Sequence, residues 1–150
     1  MSFIQNGTHE LRLVKHIIDC DANPVCPNGW EVEEHQKCGQ WEFDSKKTKL
    51  YLSLTQDIGR AIEGHELREE LADKSVLNAN VLDYLLKHPE LIPEEWKGKL
   101  IFFWGTIYRR SVGDLIVRYL GRYRSPEWDW FCLGLDDVFL DSDYAVLRLC

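Results

Sequence analysis

Positive charge is scarce in this sequence. Its 18 Lys and Arg residues stand against 25 Asp and Glu, giving a net charge of −7 and a pI of about 5.2. A sequence-independent DNA or RNA binder carries a basic face that displaces counterions, and an anionic membrane surface makes the same demand. Nucleic acid and membrane are therefore disfavoured as partners, and a basic protein fits better. Long apolar runs are missing too. The longest, Leu100–Trp104, falls far short of the roughly 20 residues of a membrane-crossing helix. The opening residues lack the basic and apolar regions of a secretory signal. With an odd cysteine count of five, that absence leads to the expectation of reduced thiols in a cytoplasm. No repeat, low-complexity tract or Pro/Gly/Ser-rich linker divides the chain, so residues 1–150 read as a single domain. A domain of this length buries roughly 68–70% of its unfolded surface and needs no metal or disulfide staple to fold.

What is present falls into three zones. Residues 1–54 are strand-rich. The apolar positions of His9–Asp19 break their alternation, which permits a bulge or two short strands. Trp30-Glu31-Val32-Glu33 and Trp41-Glu42-Phe43-Asp44 alternate as half-exposed strands do. Leu50, Leu52 and Leu54 share one face of a further strand. Residues 55–98 are helical. Leu67 and Leu71 stand one turn apart within Glu66–Asp73, and Asn78 or Asn80 can cap a helix bearing Val81, Leu82, Leu85 and Leu86. His88-Pro89 stops that helix, and Pro93–Trp96 reads as one short turn. Residues 99–150 return to strands: Leu100–Arg110, a Gly-containing loop at Ser111–Asp114, Leu115–Tyr123, a turn at Arg124–Pro126, Glu127–Leu133, and a last strand near Ala145–Leu149. The expected class is α+β, with N-terminal antiparallel strands, a short helical middle and a C-terminal antiparallel meander.

The segments Ile92-Pro93-Glu94-Glu95-Trp96-Lys97-Gly98-Lys99, Phe102–Arg109, Val117–Leu120 and Trp128-Asp129-Trp130, together with Ile18–Asp21 and Gly29–His35, resemble a group of short bacterial proteins for which no activity is known. The resemblance touches most of the chain and implies no functional residue. Cys26 and Cys38 fall where that group carries other residues, so no shared role for these thiols is implied.

Several constellations could carry chemistry. Cys20, Cys26, His35 and Cys38 surround a Pro/Gly-rich loop, and three thiolates with one imidazole can complete a tetrahedral zinc shell. Their spacing is irregular and contains no tight Cys-x2-Cys knuckle. The competing reading is of ordinary small cysteines, with no cofactor. Cys20 could also serve a small hydrolase or transferase as nucleophile, with His16 or His35 as base. The flanking Asp19 and Asp21 oppose thiolate formation, however. Glu63, His65 and Glu66 read as a solvated helix start. Asp136, Asp137, Asp141 and Asp143 lack the Gly and Glu of a calcium loop and read as a solvated acidic turn.

The meander is rich in arginine and aromatics. Tyr108, Arg109, Arg118, Tyr119, Arg122, Trp128 and Trp130 form a candidate binding surface, although Glu127 and Asp129 could pair with the arginines across strands. Strict alternation puts Phe102, Trp104, Thr106 and Tyr108 on one face and Ile101, Phe103, Gly105 and Ile107 on the other. About two helices can cover only one broad face, so one row would either be exposed or be covered by the first-zone strands. In the absence of a complete catalytic motif, the leading expectation is a non-enzymatic interaction domain binding a protein partner or a second copy of itself. A Cys/His-dependent enzyme and a zinc-binding regulator are the alternatives.

Overall fold

The computed structural model describes residues 2–5 and 11–149, with side chains from Val14 onward. In chain order the strands are β1 (Ser2–Gln5), β2 (Leu11–Val14), β3 (Ile17–Asp19), β4 (Glu31–His35), β5 (Gln40–Glu42), β6 (Thr48–Tyr51), β7 (Ile62–Glu63), β8 (Leu100–Arg109), β9 (Leu115–Gly121), β10 (Asp129–Gly134), β11 (Val138–Phe139) and β12 (Asp143–Arg148). The helices are α1 (Leu54–Asp57), α2 (Gly64–Leu71) and α3 (Ala79–Lys87). The class is α+β, and β8, β9 and β10 form the antiparallel C-terminal meander. No helix among the described residues is long and apolar enough to cross a membrane.

A central sheet runs in the order β10-β9-β8-β12-β6, with β4 beside the second half of β8. β12 lies parallel to β8 and antiparallel to β6, so the sheet is mixed. The first-zone strands are thus shared out. β1–β2 and β3–β5 are separate antiparallel ribbons, while β4 and β6 join the centre. The broken alternation of residues 9–19 resolves into two short strands, β2 and β3.

The long strand β8 does not alternate throughout. Phe102 faces Tyr119, but Ile107 faces Val117. Four residues of β8 therefore stand where β9 supplies only Arg118. An odd excess reverses the side-chain parity. Ile107 consequently joins Phe102 and Trp104 on one face, and Tyr108 joins Ile116 on the other, which corrects the two expected rows. Gly105 lies inside the bulge. Its N–H donates to Leu77 O at 2.9 Å, and its carbonyl accepts from Gln36 N at 2.7 Å. A Cβ there would lie 2.8 Å from Asn78 Cα, so only glycine lets the two backbones approach this closely.

The two long helices do not share a face. α3 places Val81, Leu82 and Leu85 with the β3–β5 ribbon over Ile101, Phe103 and Leu120. α2 places Leu67 and Leu71 with the β7–β11 ribbon over Phe102, Trp104 and Val117. Both faces are covered, and the aromatic rows of β8 are core.

Local caps follow the sequence. The Asn78 side chain accepts from Asn80 N at the start of α3, and His88 closes that helix. Pro93 precedes a 3-10 turn at Glu94–Trp96. Leu54, expected on a strand with Leu50, instead begins α1 and is 76% exposed. The cause is Ser53 and Gln56, which form a reciprocal capping box that starts a helix there.

Candidate functional site

The arginines and aromatics of the meander are mostly turned inward. Tyr108 is 0% exposed and donates its hydroxyl to Val25 O at 2.8 Å. Arg118 is 2% exposed, makes two bonds to Asp83 of α3 at 2.8 and 3.1 Å, and stacks 4.3 Å over Trp130. Burial works against its charge, but Asp83 outweighs it and holds the guanidinium above its ordinary pKa. Tyr119 is buried beside Phe102 and meets Tyr123 hydroxyl to hydroxyl at 3.2 Å. Tyr108, Arg118 and Tyr119 therefore hold the interior together and present no contact surface. Arg109 grips Glu33 of β4 with two bonds at 3.0 and 3.1 Å. Arg122 donates to Pro126 O and lies over Trp128. The arginines find partners in α3, β4 and a turn carbonyl, not in Glu127 and Asp129 across the strand.

Trp128 and Trp130 stay half-buried, beside an open sheet edge. Among the described residues β10 pairs with β9 alone. Leu135 N donates to Leu115 O, so the two-residue period of an antiparallel ladder turns the backbone groups of Trp130, Cys132 and Gly134 outward. The Trp130 N–H is taken by the Asp129 carboxylate at 2.8 Å, and the Gly134 carbonyl by Asp137 N. Among the described residues Cys132 keeps both its edge groups open.

The four proposed zinc ligands do not converge. Cys26 donates its thiol to Trp30 O at 3.1 Å. His35 Nε2 lies 3.1 Å from Cys20 O, and its Nδ1 lies 2.9 Å from Thr106 Oγ1. A carbonyl only accepts, so Nε2 carries the proton and Nδ1 accepts from the Thr106 hydroxyl. Among the described residues no three His, Cys, Asp or Glu side chains are arranged to hold a metal ion. The Cys20–His35 catalytic pairing is not assembled either: the imidazole meets the Cys20 carbonyl, not its thiol. His16 turns away to Tyr84 at 2.9 Å. His65 pairs with exposed Asp136, as a solvated helix start should. Asp143 departs from the solvated turn expected of it. It is 7% exposed, accepts from Leu140 N, and burial raises its pKa.

Two of the cysteines lie side by side at the end of the β3–β5 ribbon. Asp19 of β3 faces Gln40 of β5, and Cys20 N donates to Gly39 O at 2.9 Å. Gly39 takes φ +73°, leaving the extended conformation and returning Cys38 toward Cys20. Gly39 N in turn donates to Asp21 Oδ1 at 2.8 Å. Cys20 is wholly buried, whereas Cys38 is partly exposed. The neighbouring Cys20 thiol and the Arg148 charge hold Cys38 below its ordinary pKa. The proximity of Cys38, together with burial, pushes Cys20 up. Arg148 Nη1 donates to Cys38 O at 3.1 Å.

Sequence reasoning grouped Cys20 and Cys38 for a metal and missed Gly39 and Arg148. A Cys-Gly dipeptide is a local sign of a turn that can redirect a thiol. Arg148 lies 110 residues further on and gives no such sign. No protein-family model, curated protein or solved structure matches the chain.

Proposed function

We propose that the chain is a non-enzymatic protein-interaction domain that takes up an extended, basic segment of a partner protein along the open edge of β10. The observation that carries this reading is that edge, with both backbone groups of Cys132 unpaired among the described residues. An unpaired strand edge is a template for a further strand. Trp128 and Trp130 flank it half-buried, and Tyr123 stands 49% exposed nearby; such amphipathic rings suit protein contacts. Glu127 and Asp129 lie at one end and Asp136 and Asp137 beyond the other, all exposed, so the charge favours a basic occupant. Self-pairing would set these acids against their own copies, in a chain whose net charge is already −7.

Synthetic extended peptides alternating Lys and Val are a direct probe. Binding should perturb and protect the Cys132 and Gly134 amides in backbone NMR spectra. Cys132→Pro removes an outward N–H that an edge strand can spare, and should abolish binding while leaving the fold intact. Asp129→Arg, at an exposed position, should weaken it. If no such peptide perturbs β10, the reading fails. A concentration-dependent dimer perturbed at the same amides would replace the basic partner with a second copy.

A further inference from the structure

We propose that Cys38 and Cys20 form a dithiol exchange site that reacts with small disulfides bearing carboxylates. The division of labour comes from the geometry. Cys38 is the thiol solvent can reach, and it borders a groove of about 480 Å³. Cys20 lies behind it, fully buried, in the core cluster that Cys38 packs against, and its backbone N–H bonds to the carbonyl of Gly39, next in sequence to Cys38, at 2.9 Å. An accessible attacking sulfur backed by a buried resolving sulfur is the arrangement that two-step exchange requires.

The groove also selects for charge. Lys37, Lys74 and Arg148 line it, against Asp73 alone. Lys74 lies 3.7 Å from Asp73. Asp21 acts on both thiols from the β3 side and opposes their ionisation, whereas Arg148 favours it. The net surroundings are cationic, which concentrates anionic reactants.

The Cys38 thiolate attacks one sulfur of R–S–S–R. A Cys38–S–S–R bond forms and one RS⁻ leaves, taking up the proton Cys38 had released. Cys38 then carries no negative charge, so a main cause of the proton's retention on Cys20 disappears. Cys20 loses its proton to the second leaving RS⁻ as its sulfur attacks that of Cys38. The Cys20–Cys38 disulfide forms while the mixed disulfide breaks. Two electrons and two protons pass from the protein to the small disulfide, giving two RSH.

Oxidised glutathione added to the reduced full-length chain at neutral pH tests this by acid quenching and mass spectrometry. The expected product has lost two hydrogens and yields a peptide linking Cys20 to Cys38, with the other cysteines unmodified. Cys20→Ser should halt at a glutathione adduct on Cys38, and Cys38→Ser should leave Cys20 unreacted. Cystamine, a cationic disulfide, should react about tenfold more slowly, as should Arg148→Gln with oxidised glutathione. A link through any other cysteine, an adduct on Cys38 that never resolves in the unsubstituted chain, or equal rates with cystamine would overturn the proposal. The unsubstituted chain supplies the linkage and charge readouts, so a variant that fails to fold leaves the test intact. Peptide binding along β10 is read separately, by backbone amide shifts, so the two proposals fail independently.

Discussion

The β8–β10 meander and the junction of β3 with β5 differ in how far their reactive groups are consumed by the fold. The meander holds Arg109, Arg118 and Tyr108, yet each is engaged by Glu33, Asp83 or a carbonyl. The junction has fewer notable residues, but it sets buried Cys20 behind Cys38, which borders an open groove. Abundance of a residue type therefore says little about function. What matters is whether the surrounding chain has already satisfied those groups.

The contrast can be broken most forcefully at Arg118. Truncation to Ala leaves Asp83 with an uncompensated charge, and breaking a buried pair costs about 3–5 kcal/mol. Urea denaturation should show that loss, whereas Arg109→Ala, at the exposed pair with Glu33, should barely move the midpoint. Equal effects would mean that burial does not separate the meander's arginines.

Gly105→Ala comes next. It drives a methyl group into the Asn78 backbone, and overpacking of this kind costs about 1–3 kcal/mol. Because Gly105 bonds to Leu77 and Gln36, the damage should reach the start of α3, visible as faster amide exchange there. A fully stable variant would show that the bulge can be straightened.

The smallest effect is a pH dependence at His35, which sits between the two regions. Burial holds its folded-state pKa below the ordinary 6.5. The unfolded chain thus takes up a proton before the native one does. Stability is complete above 6.5 and declines as the pH falls toward the folded-state value. His35→Gln should flatten that part of the stability profile, and an unchanged slope would assign it to other groups.

The class, the meander and the α3 cap were legible in the sequence, because periodicity and caps are local. The bulge was not. Nothing in Phe103-Trp104-Gly105-Thr106 signals that four residues will stand against Arg118 alone; tertiary contacts with Leu77, Gln36 and Ala79 fix it. Strict alternation therefore places Ile107 and Tyr108 on the wrong faces. Cys20 and Cys38 were recognised as neighbours in sequence, but their partner Arg148 arrives from β12, and no spacing rule connects them. Asp83, which neutralises Arg118, sits on a helix face that reads as ordinary solvated charge.

The placement of β12 also bears on the order of events during folding. It lies inside the sheet, parallel to β8 and antiparallel to β6. Strand β6 is complete at Tyr51, yet it has no place in the sheet until synthesis has passed Arg148. For that interval its edge stays open while roughly a hundred residues follow, and loop-closure entropy makes such distant pairings slow. Docking of β6 is thereby a late event of folding, set by the far end of the sheet.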